Sequence, residues 1–257
     1  MSGAAMGIDG RVLALVPGYE EGPRIGTVVE AALQHLPVLV VDDGSTDDTA
    51  ANAEAAGAEV IRQSPNQGKG AALRAGFRHA LDAGYDAVLT LDADGQHDPD
   101  EIPRFMAAFG ASGVPGASGV PGASGVPGAS GVPGASGPRP ELIIGRRDFS
   151  RMPAVRRLSN TVGTAAFSWA VGRQVPDNQS GYRLLGRRLM TAMLDSHETG
   201  FEFEVEMIAV CIRSGWTLGW VPISTIYAGA PSHVKPVAHL RHFIRATRAA
   251  RRLVRRP

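Results

Sequence analysis

The chain has 257 residues, of which 44% are hydrophobic and 20% are charged. This composition is typical of a globular protein with a substantial core, and the length favours one large α/β domain. No apolar run approaches the roughly 20 residues that a membrane span needs. Residues 1–10 lack the charged and apolar regions of a signal peptide, so we expect a loose tail there and a single domain over 11–257.

The chain contains one cysteine, Cys211. A single cysteine excludes a disulfide framework and favours a reducing compartment, so we expect a cytoplasmic protein. Cys211 stands in the apolar run 207–212. Cysteines in such surroundings are usually buried and inert, and we expect no nucleophilic role for this one.

The formal net charge is only +1, but positive charge is concentrated at one end of the chain. Residues 241–257 contain no acidic residue and seven arginines, which are Arg241, Arg245, Arg248, Arg251, Arg252, Arg255 and Arg256. With the apolar residues between them, they predict a basic amphipathic helix over 237–257. Such a helix either turns its arginines to solvent or holds the chain at an anionic membrane surface. We expect no nucleic-acid partner.

In chain order, short apolar runs alternate with helical patterns. We predict strands at 12–16, 38–41, 60–61 and 88–91, each followed by a helical segment. The helix after the second strand is expected to begin at Ser45 or Thr46, which are good N-cap residues. Strands that alternate with helices at this spacing predict a mostly parallel sheet with helices on both faces, an α/β fold.

Acidic residues directly follow two of the predicted strands. Asp42 and Asp43 end one strand, and Asp92 and Asp94 follow another. In parallel sheets the ligand lies beyond the carboxyl ends of the strands, so these clusters indicate a binding site. Carboxylate oxygens suit Mg²⁺ and Mn²⁺, which usually complete their ligand shells with substrate phosphates. Asp92 and Asp94 are therefore candidate metal ligands, although an isolated Asp-x-Asp triplet is more often an ordinary turn.

The segment 110–137 is a repeat. The sequence GASGVP occurs four times from Gly110 and is followed by GASG. Each repeat offers little apolar surface to bury, and its glycine and proline favour a mobile coil. We interpret 110–137 as a loop inserted between a helix near 98–109 and a strand at 142–144. Beyond it we predict a helix that includes 201–212 and a strand at 216–221.

Eight short motifs occur in a fixed order along the chain. They are 16–21 (VPGYEE), 41–47 (VDDGSTD), 66–72 (NQGKGAA), 92–97 (DADGQH), 144–147 (IGRR), 180–183 (SGYR), 200–206 (GFEFEVE) and 232–236 (SHVKP). Together they resemble the family 2 glycosyltransferases, in particular the branch of dolichol- and polyprenyl-phosphate mannose synthases. The resemblance covers nearly the whole chain outside the extreme N-terminus and the repeat. It implies the GT-A fold, the nucleotide-diphosphosugar transferase type of α/β sheet.

The resemblance also implies which residues bind the nucleotide-diphosphate sugar donor. These are Pro17, Tyr19, Glu21, Val41, Asp43, Lys69 and Ala93. Asp43 would accept hydrogen bonds from the base, which suits guanine and uracil equally. The chain has no G-x-x-x-x-G-K-[ST] phosphate loop, so Lys69 is not the lysine of a nucleotide-triphosphate site.

The same resemblance implies a metal and a set of phosphate contacts. Asp92, Asp94 and Gln96 would surround Mg²⁺ or Mn²⁺ and the diphosphate. The donor or acceptor phosphates would meet Arg147, Arg156 and Lys235, because guanidinium and ammonium groups suit phosphate oxygens.

Two positions depart from the family pattern. Glu20 stands where the first motif usually has asparagine, which removes an amide that stabilises the turn. The stretch 227–231 lacks an arginine that some mannose synthases place there. Many members of the family also carry membrane spans, and none is predicted here.

The acceptor decides whether the enzyme needs a general base. A hydroxyl acceptor must lose a proton, and the candidate base is Asp177, which could equally hold its own turn. A phosphate acceptor is already anionic and needs only positioning. The many cations favour transfer of mannose or glucose from a GDP- or UDP-sugar to a polyprenyl phosphate, with inversion, at the inner face of the membrane. The alternatives are a soluble or glycan acceptor and a non-catalytic sugar-nucleotide-binding protein.

Overall fold

The structure of the chain is a computed structural model. It describes residues 10–110, 139–152, 154–200, 202–224 and 236–255. The tail expected at 1–10 and the repeat at 110–137 lie outside the described residues, apart from Gly10 and Gly110. Whether they form a tail and an inserted loop therefore stays a prediction.

The first part of the chain alternates strands with helices, as predicted. Its elements are β1 (Val12–Gly18), α1 (Gly22–Leu33), β2 (Val38–Asp42), α2 (Thr49–Ala55), β3 (Glu59–Arg62), α3 (Lys69–Asp82), β4 (Ala87–Thr90) and α4 (Ile102–Gly110). A short 3-10 turn, Pro99–Glu101, leads into α4.

The second part contains three elements that the sequence patterns did not predict. Its elements are β5 (Leu142–Arg147), α5 (Ala154–Val171), β6 (Arg183–Gly186), α6 (Arg187–Met193), α7 (Glu202–Arg213), β7 (Leu218–Ile223) and α8 (Pro236–Arg255). The unpredicted ones are α5, β6 and α6. The helical interpretation of 201–212 is confirmed by α7, and the strand expected at 216–221 lies two residues later as β7.

The seven strands form one sheet in the order β3-β2-β1-β4-β6-β5-β7. The strand β6 pairs antiparallel with β4 and β5, and the other pairs are parallel. The prediction of a mostly parallel sheet is therefore confirmed. Gly18, at the end of β1, lies opposite Asp42, at the end of β2, so the loops that follow these strands meet at one edge.

The strands in the middle of the sheet are buried on both faces, whereas the edge strand β3 is partly exposed. Along β1, Leu13 and Leu15 belong to one apolar cluster while Val12, Ala14 and Val16 belong to the other. Successive side chains of a strand point to opposite faces, so a strand covered by helices on both sides must be apolar throughout. This explains why the strand signals in the sequence were continuous apolar runs.

The helix α2 begins later than predicted, at Thr49 rather than after Ser45 or Thr46. The expected N-cap is wrong because both hydroxyls have other partners. The Ser45 hydroxyl donates to Asp42, and the Thr46 hydroxyl donates to a carboxylate oxygen of Glu20 at 3.0 Å. The turn 43–48 is therefore bound to the sheet edge instead of starting a helix.

The basic segment forms the helix α8, as predicted, and the helix packs on the domain. Phe243, Ala246 and Ala250 are at most 9% exposed and belong to the core cluster that contains residues of α7 and α5. The apolar face of α8 is thus covered by the rest of the chain. Among the described helices, none is long and apolar enough to cross a membrane.

Candidate active site

An open pocket of about 450 Å³ lies beyond the carboxyl ends of β1, β2 and β4. Eight of the residues that the sequence placed at the site line it: Pro17, Tyr19, Glu21, Asp43, Lys69, Asp92, Ala93 and Asp94. These residues come from four separate motifs, and the parallel register of the strands brings them to one edge. Tyr19 is half exposed, so its ring is available to a flat ligand.

The wall of the pocket beside Tyr19 is stabilised by Glu20. The carboxylate of Glu20 accepts hydrogen bonds from the Thr46 backbone N–H at 2.8 Å and from the Thr46 hydroxyl. Glu20 has a φ of 55°, a left-handed conformation that costs a residue with a Cβ about 1–2 kcal/mol. The carboxylate therefore stabilises this turn in place of the asparagine amide that the family pattern would supply.

Asp43 forms the floor of the pocket and is held rigidly. It is 3% exposed, and its two oxygens accept the backbone N–H groups of Gln67 and Gly68 at 2.8 and 2.7 Å. Each carboxylate oxygen has a further lone pair. The loop 66–68 thus fixes the orientation of Asp43 and leaves acceptor capacity for a ligand.

Lys69 joins two carboxylates that come from distant parts of the chain. Its ammonium group donates to Asp92 and, at 3.1 Å, to Glu204 on α7. Burial opposes ionisation of Asp92, but the adjacent Lys69 outweighs it and holds the pKa of Asp92 well below its usual range. Burial likewise opposes the charge of Lys69, yet the two carboxylates raise its pKa. Asp92 and Lys69 are therefore both charged at neutral pH.

Asp94 has a simpler environment than Asp92. Its two oxygens accept the backbone N–H of Gln96 at 2.9 Å and the side-chain amide of Gln96 at 2.7 Å. Gln96 does not line the pocket but orients the carboxylate that does. No cation is paired with Asp94 among the described residues, so its negative charge faces the pocket without a counterion from the described part of the chain.

A stacked pair of rings lies behind Asp92. His97 accepts the Asp92 backbone N–H on Nδ1 at 3.1 Å and stacks on Tyr182, with ring centroids 5.0 Å apart. Burial lowers the pKa of His97, so the ring is neutral and carries its proton on Nε2, which faces Asp92 at 3.8 Å. A Cβ on Gly181 would lie 2.6 Å from the Asp92 carboxylate. The loop around Gly181 can approach Asp92 only because that residue is glycine.

Arg183 is buried completely and ties this loop to α7. Its guanidinium donates to the backbone carbonyls of Asn178, Ser180 and Glu204. Burial lowers the pKa of Arg183, and the nearby carboxylates Glu204 and Asp177 help to keep it charged. The arginine of the SGYR motif is thus a structural cation under the pocket.

Arg147, at the end of β5, and Asp177 form a bidentate ion pair, and neither residue lines the pocket. Nε and Nη2 of Arg147 donate to the two oxygens of Asp177 at 2.7 and 3.0 Å. The Asp177 carboxylate is fully buried and also accepts the Gln179 backbone N–H at 3.0 Å. Of the two roles left open for Asp177, this geometry supports the structural one, because a buried and paired carboxylate has no access to an acceptor hydroxyl. Asp177 orients Arg147.

Of the three remaining predicted residues, one lies outside the pocket and two are not described at their side chains. Val41 is fully buried and its side chain lies in the core, so it supports the site from behind. Arg156 belongs to α5, but the structure does not describe its side chain. Lys235 lies outside the described residues. The role of Glu204 could not be predicted from its motif, because its partner Lys69 is 135 positions away.

The two aspartates of the pocket suit a metal ion that takes its remaining ligands from a substrate. Among the described residues, no group of three His, Cys, Asp or Glu side chains could hold a metal ion. Mg²⁺ is usually bound by one or two carboxylates together with substrate phosphates. Asp92 and Asp94 on the pocket wall meet that requirement, with Asp92 also bound to Lys69.

Solved structures confirm the fold. The chain is similar to glucosyl-3-phosphoglycerate synthase from Mycobacterium tuberculosis in complex with uridine diphosphate, with a TM-score of 0.68 and 18% identity, over 95% of this chain and 80% of that one. The same enzyme in complex with Mn²⁺, UDP-glucose and phosphoglyceric acid gives a TM-score of 0.67 at 19% identity, over 95% and 80% of the two chains. The expected GT-A architecture is therefore correct.

Sequence relatives identify the family. The undecaprenyl-phosphate mannosyltransferase of Micrococcus luteus is 30% identical over 84% of each chain. The polyprenol monophosphomannose synthase of Mycolicibacterium smegmatis is 29% identical over 83% of this chain and 77% of its own. The family model for glycosyl transferase family 2 matches residues 14–169, a span that contains the pocket residues of β1, β2, α3 and β4. With its pocket residues in the order of that family's motifs, the chain belongs to glycosyltransferase family 2 and is a glycosyltransferase of the polyprenyl-phosphate mannose synthase-like type.

Proposed function

We propose that the protein transfers mannose or glucose from a GDP- or UDP-sugar to a polyprenyl phosphate, with Mg²⁺ or Mn²⁺, at the cytoplasmic face of a membrane. The observation that carries the proposal is the composition of the pocket. A fixed acceptor for a base, Asp43, and an exposed ring, Tyr19, share one pocket with the carboxylates Asp92 and Asp94. A nucleotide base and a diphosphate can therefore be bound in the same pocket.

The donor is oriented by groups that are already held in place. Asp43 is positioned by backbone N–H groups and accepts from the N–H edge of guanine or uracil. A divalent cation, when bound by Asp94 and Asp92, supplies positive charge to the departing diphosphate. Lys69 keeps Asp92 ionised for that role.

The acceptor is inferred from chemistry and from the relatives. A phosphate oxygen is anionic and can attack the sugar directly, in one displacement that inverts the anomeric carbon, with no general base. Asp177, the candidate base, is buried and bound to Arg147, which fits such an acceptor. Arg147 is held by Asp177 at the end of β5, and its guanidinium group suits an acceptor phosphate. The two relatives named above act on polyprenyl phosphates by name.

The test is a transfer assay with purified protein, a panel of GDP- and UDP-sugars, Mg²⁺ or Mn²⁺, and a polyprenyl phosphate. Label should move from the aqueous to the butanol phase, and EDTA should prevent it. Asp94→Asn should lower transfer about 100-fold or more, since it weakens charge stabilisation at the leaving group. Asp82→Asn, an exposed change at the end of α3, is the matched control and should keep full activity.

Three results would contradict the proposal. Full transfer in EDTA would show that the reaction needs no divalent metal. Label that moves only to water-soluble phosphorylated acceptors would favour the soluble-acceptor alternative, and an absence of donor turnover with every sugar would favour a binding protein.

A further inference from the structure

The outward face of α5 carries a line of apolar side chains. Leu158, Val162 and Trp169 are 67%, 59% and 70% exposed, and Ala165 between them is exposed as well. Their spacing of four, three and four residues places them along one side of a helix. The opposite side of α5 is also apolar, since residues such as Phe167 are buried in the core.

The helix α8 lies beside α5 and runs in the same direction. Phe243 packs against Gly163, with a ring carbon 3.4 Å from where a Cβ would stand. Further along both helices, the Arg251 guanidinium lies over the Trp169 ring at 4.1 Å from its centroid. These two contacts fix which flank of α8 borders the apolar line.

That flank of α8 is cationic. Ile244, Arg248, Arg251 and Arg255 have the same spacing of four, three and four residues, so they form a second line next to the first. Ile244 is 40% exposed, and Arg248 and Arg255 are exposed. An apolar line on α5 and a basic line on α8 thus run side by side.

Neither helix contains an acidic residue, and in the described part of the chain no acidic residue from another element pairs with the arginines of this flank. Neither Ala154–Val171 nor Pro236–Arg255 contains aspartate or glutamate. In the part of the chain that the structure describes, no carboxylate pairs with Arg248, Arg251 or Arg255. The other flank differs, because Arg245 binds Glu202 at 2.7 Å and Glu198 at 3.3 Å.

We propose that this α5/α8 face, formed by Leu158, Val162, Trp169, Arg248, Arg251 and Arg255, docks the protein on an anionic lipid bilayer. The apolar line enters the boundary between headgroups and acyl chains, and the arginines contact lipid phosphates. The partner follows from charge and shape. Single exposed apolar residues need no explanation, but a continuous line that ends in a tryptophan under an arginine suits the bilayer interface.

The proposal places the apolar contribution on a different helix from the one that the sequence favoured. The apolar residues on the domain-facing side of α8, such as Phe243 and Ala250, are buried and cannot reach lipid. The α5 line supplies the missing apolar surface. The docking face deepens the proposed function by naming how the enzyme would meet a lipid acceptor, yet vesicle binding requires neither donor nor acceptor.

The test is co-sedimentation with vesicles of phosphatidylcholine alone or with added phosphatidylglycerol. The protein should bind the anionic vesicles and lose binding as salt rises. Each interfacial arginine contributes about fivefold to partitioning at low salt, so Arg248→Gln/Arg251→Gln/Arg255→Gln should weaken binding at least about tenfold. The matched control is Arg78→Gln/Arg213→Gln/Arg252→Gln, which removes the same charge from other exposed positions and should bind nearly as wild type.

Trp169 gives a second, spectroscopic measurement. Wild-type fluorescence should shift to the blue on anionic vesicles and be quenched by brominated lipid, whereas Trp169→Phe should bind but lose the quenching. Trp169→Ser should bind at least about fivefold more weakly. Circular dichroism checks that each variant folds, and transfer to a short, detergent-dispersed polyprenyl phosphate should be unchanged, which separates docking from catalysis.

Three outcomes would overturn the proposal. They are equal binding to neutral and anionic vesicles, an equal loss in the control triple variant, and no binding at low salt. A dimer that Trp169→Ser dissociates, together with no vesicle binding, would assign the face to a second copy of the chain instead.

Discussion

Replacing Lys69 with methionine should destabilise the fold, because it removes the cation that two carboxylates share. The Glu204 side chain is 7% exposed and accepts from Lys69 at 3.1 Å. Breaking a fully buried ion pair costs about 3–5 kcal/mol. The Lys69 and Asp92 side chains are 34% and 30% exposed, so water screens part of the interaction. We expect a loss of about 2–3 kcal/mol, which lowers the melting temperature by about 5–10 °C.

The assay is urea unfolding at pH 7, followed by far-UV circular dichroism. Arg62→Met is the matched control, because Arg62 pairs with Glu54 on the exposed surface, and such pairs contribute little. The double variant Lys69→Met/Glu204→Met should lose less stability than the two single variants together, since it leaves no unpaired charge at Glu204.

The pH dependence provides a further check on the same variant. Burial opposes ionisation of Asp92, but Lys69 overcomes it and depresses the pKa. A depressed carboxyl pKa contributes stability above the ordinary value of about 4, and this stability is lost as the pH falls toward the folded-state pKa. The difference in stability between wild type and Lys69→Met should therefore shrink between pH 7 and pH 3. Equal unfolding midpoints at pH 7, or a difference that does not change with pH, would refute this reasoning.

Three further predictions concern sites away from this cluster. Burial raises the pKa of Cys211 to about 12. The native thiol should therefore not react with Ellman's reagent at pH 8 but should react fully in guanidinium. Rapid labelling of the native protein would show that the reagent reaches the thiol and would contradict the prediction. Glu20→Gly should be more stable than Glu20→Ala by about 1 kcal/mol, because only glycine adopts the positive φ without cost, and equal melting temperatures would show no strain there. Replacing 110–137 with a short linker should leave melting and transfer nearly unchanged, since loop length costs little, whereas loss of folding would mean that the repeat is structural.

The parallel half of the fold could be predicted because its signals are local. Each strand from β1 to β4 is a short apolar run, and each is followed by a helical pattern. The strand β6 was missed for a physical reason. It has only four residues and is specified by antiparallel pairing with β4 and β5, which are distant in the chain. Pairing of this kind leaves no periodicity in the sequence.

The pocket could be predicted from motifs, but the partners of its charged residues could not. Asp43, Asp92 and Asp94 follow strands, and parallel strands bring such positions together. The pairing of Lys69 with Glu204 depends on where α7 crosses α3, and the pairing of Arg147 with Asp177 depends on the loop after α5. A single sequence shows that these residues are charged, but not which of them neutralise one another.

Asp92 and Asp94 have the same side chain and nearly the same position in the chain, yet their surroundings suit them to different roles. Asp92 lies where β4, α3 and the loop at Gly181 meet, and its charge is balanced by Lys69. Any displacement of Asp92 would disturb all three elements, so its carboxylate is suited to holding geometry. Asp94 is bound only by the amide groups of Gln96 among the described residues, and its charge is available to a cation brought with the substrate. Removing the charge at Asp94 should therefore reduce transfer more than stability, and removing it at Asp92 should reduce both.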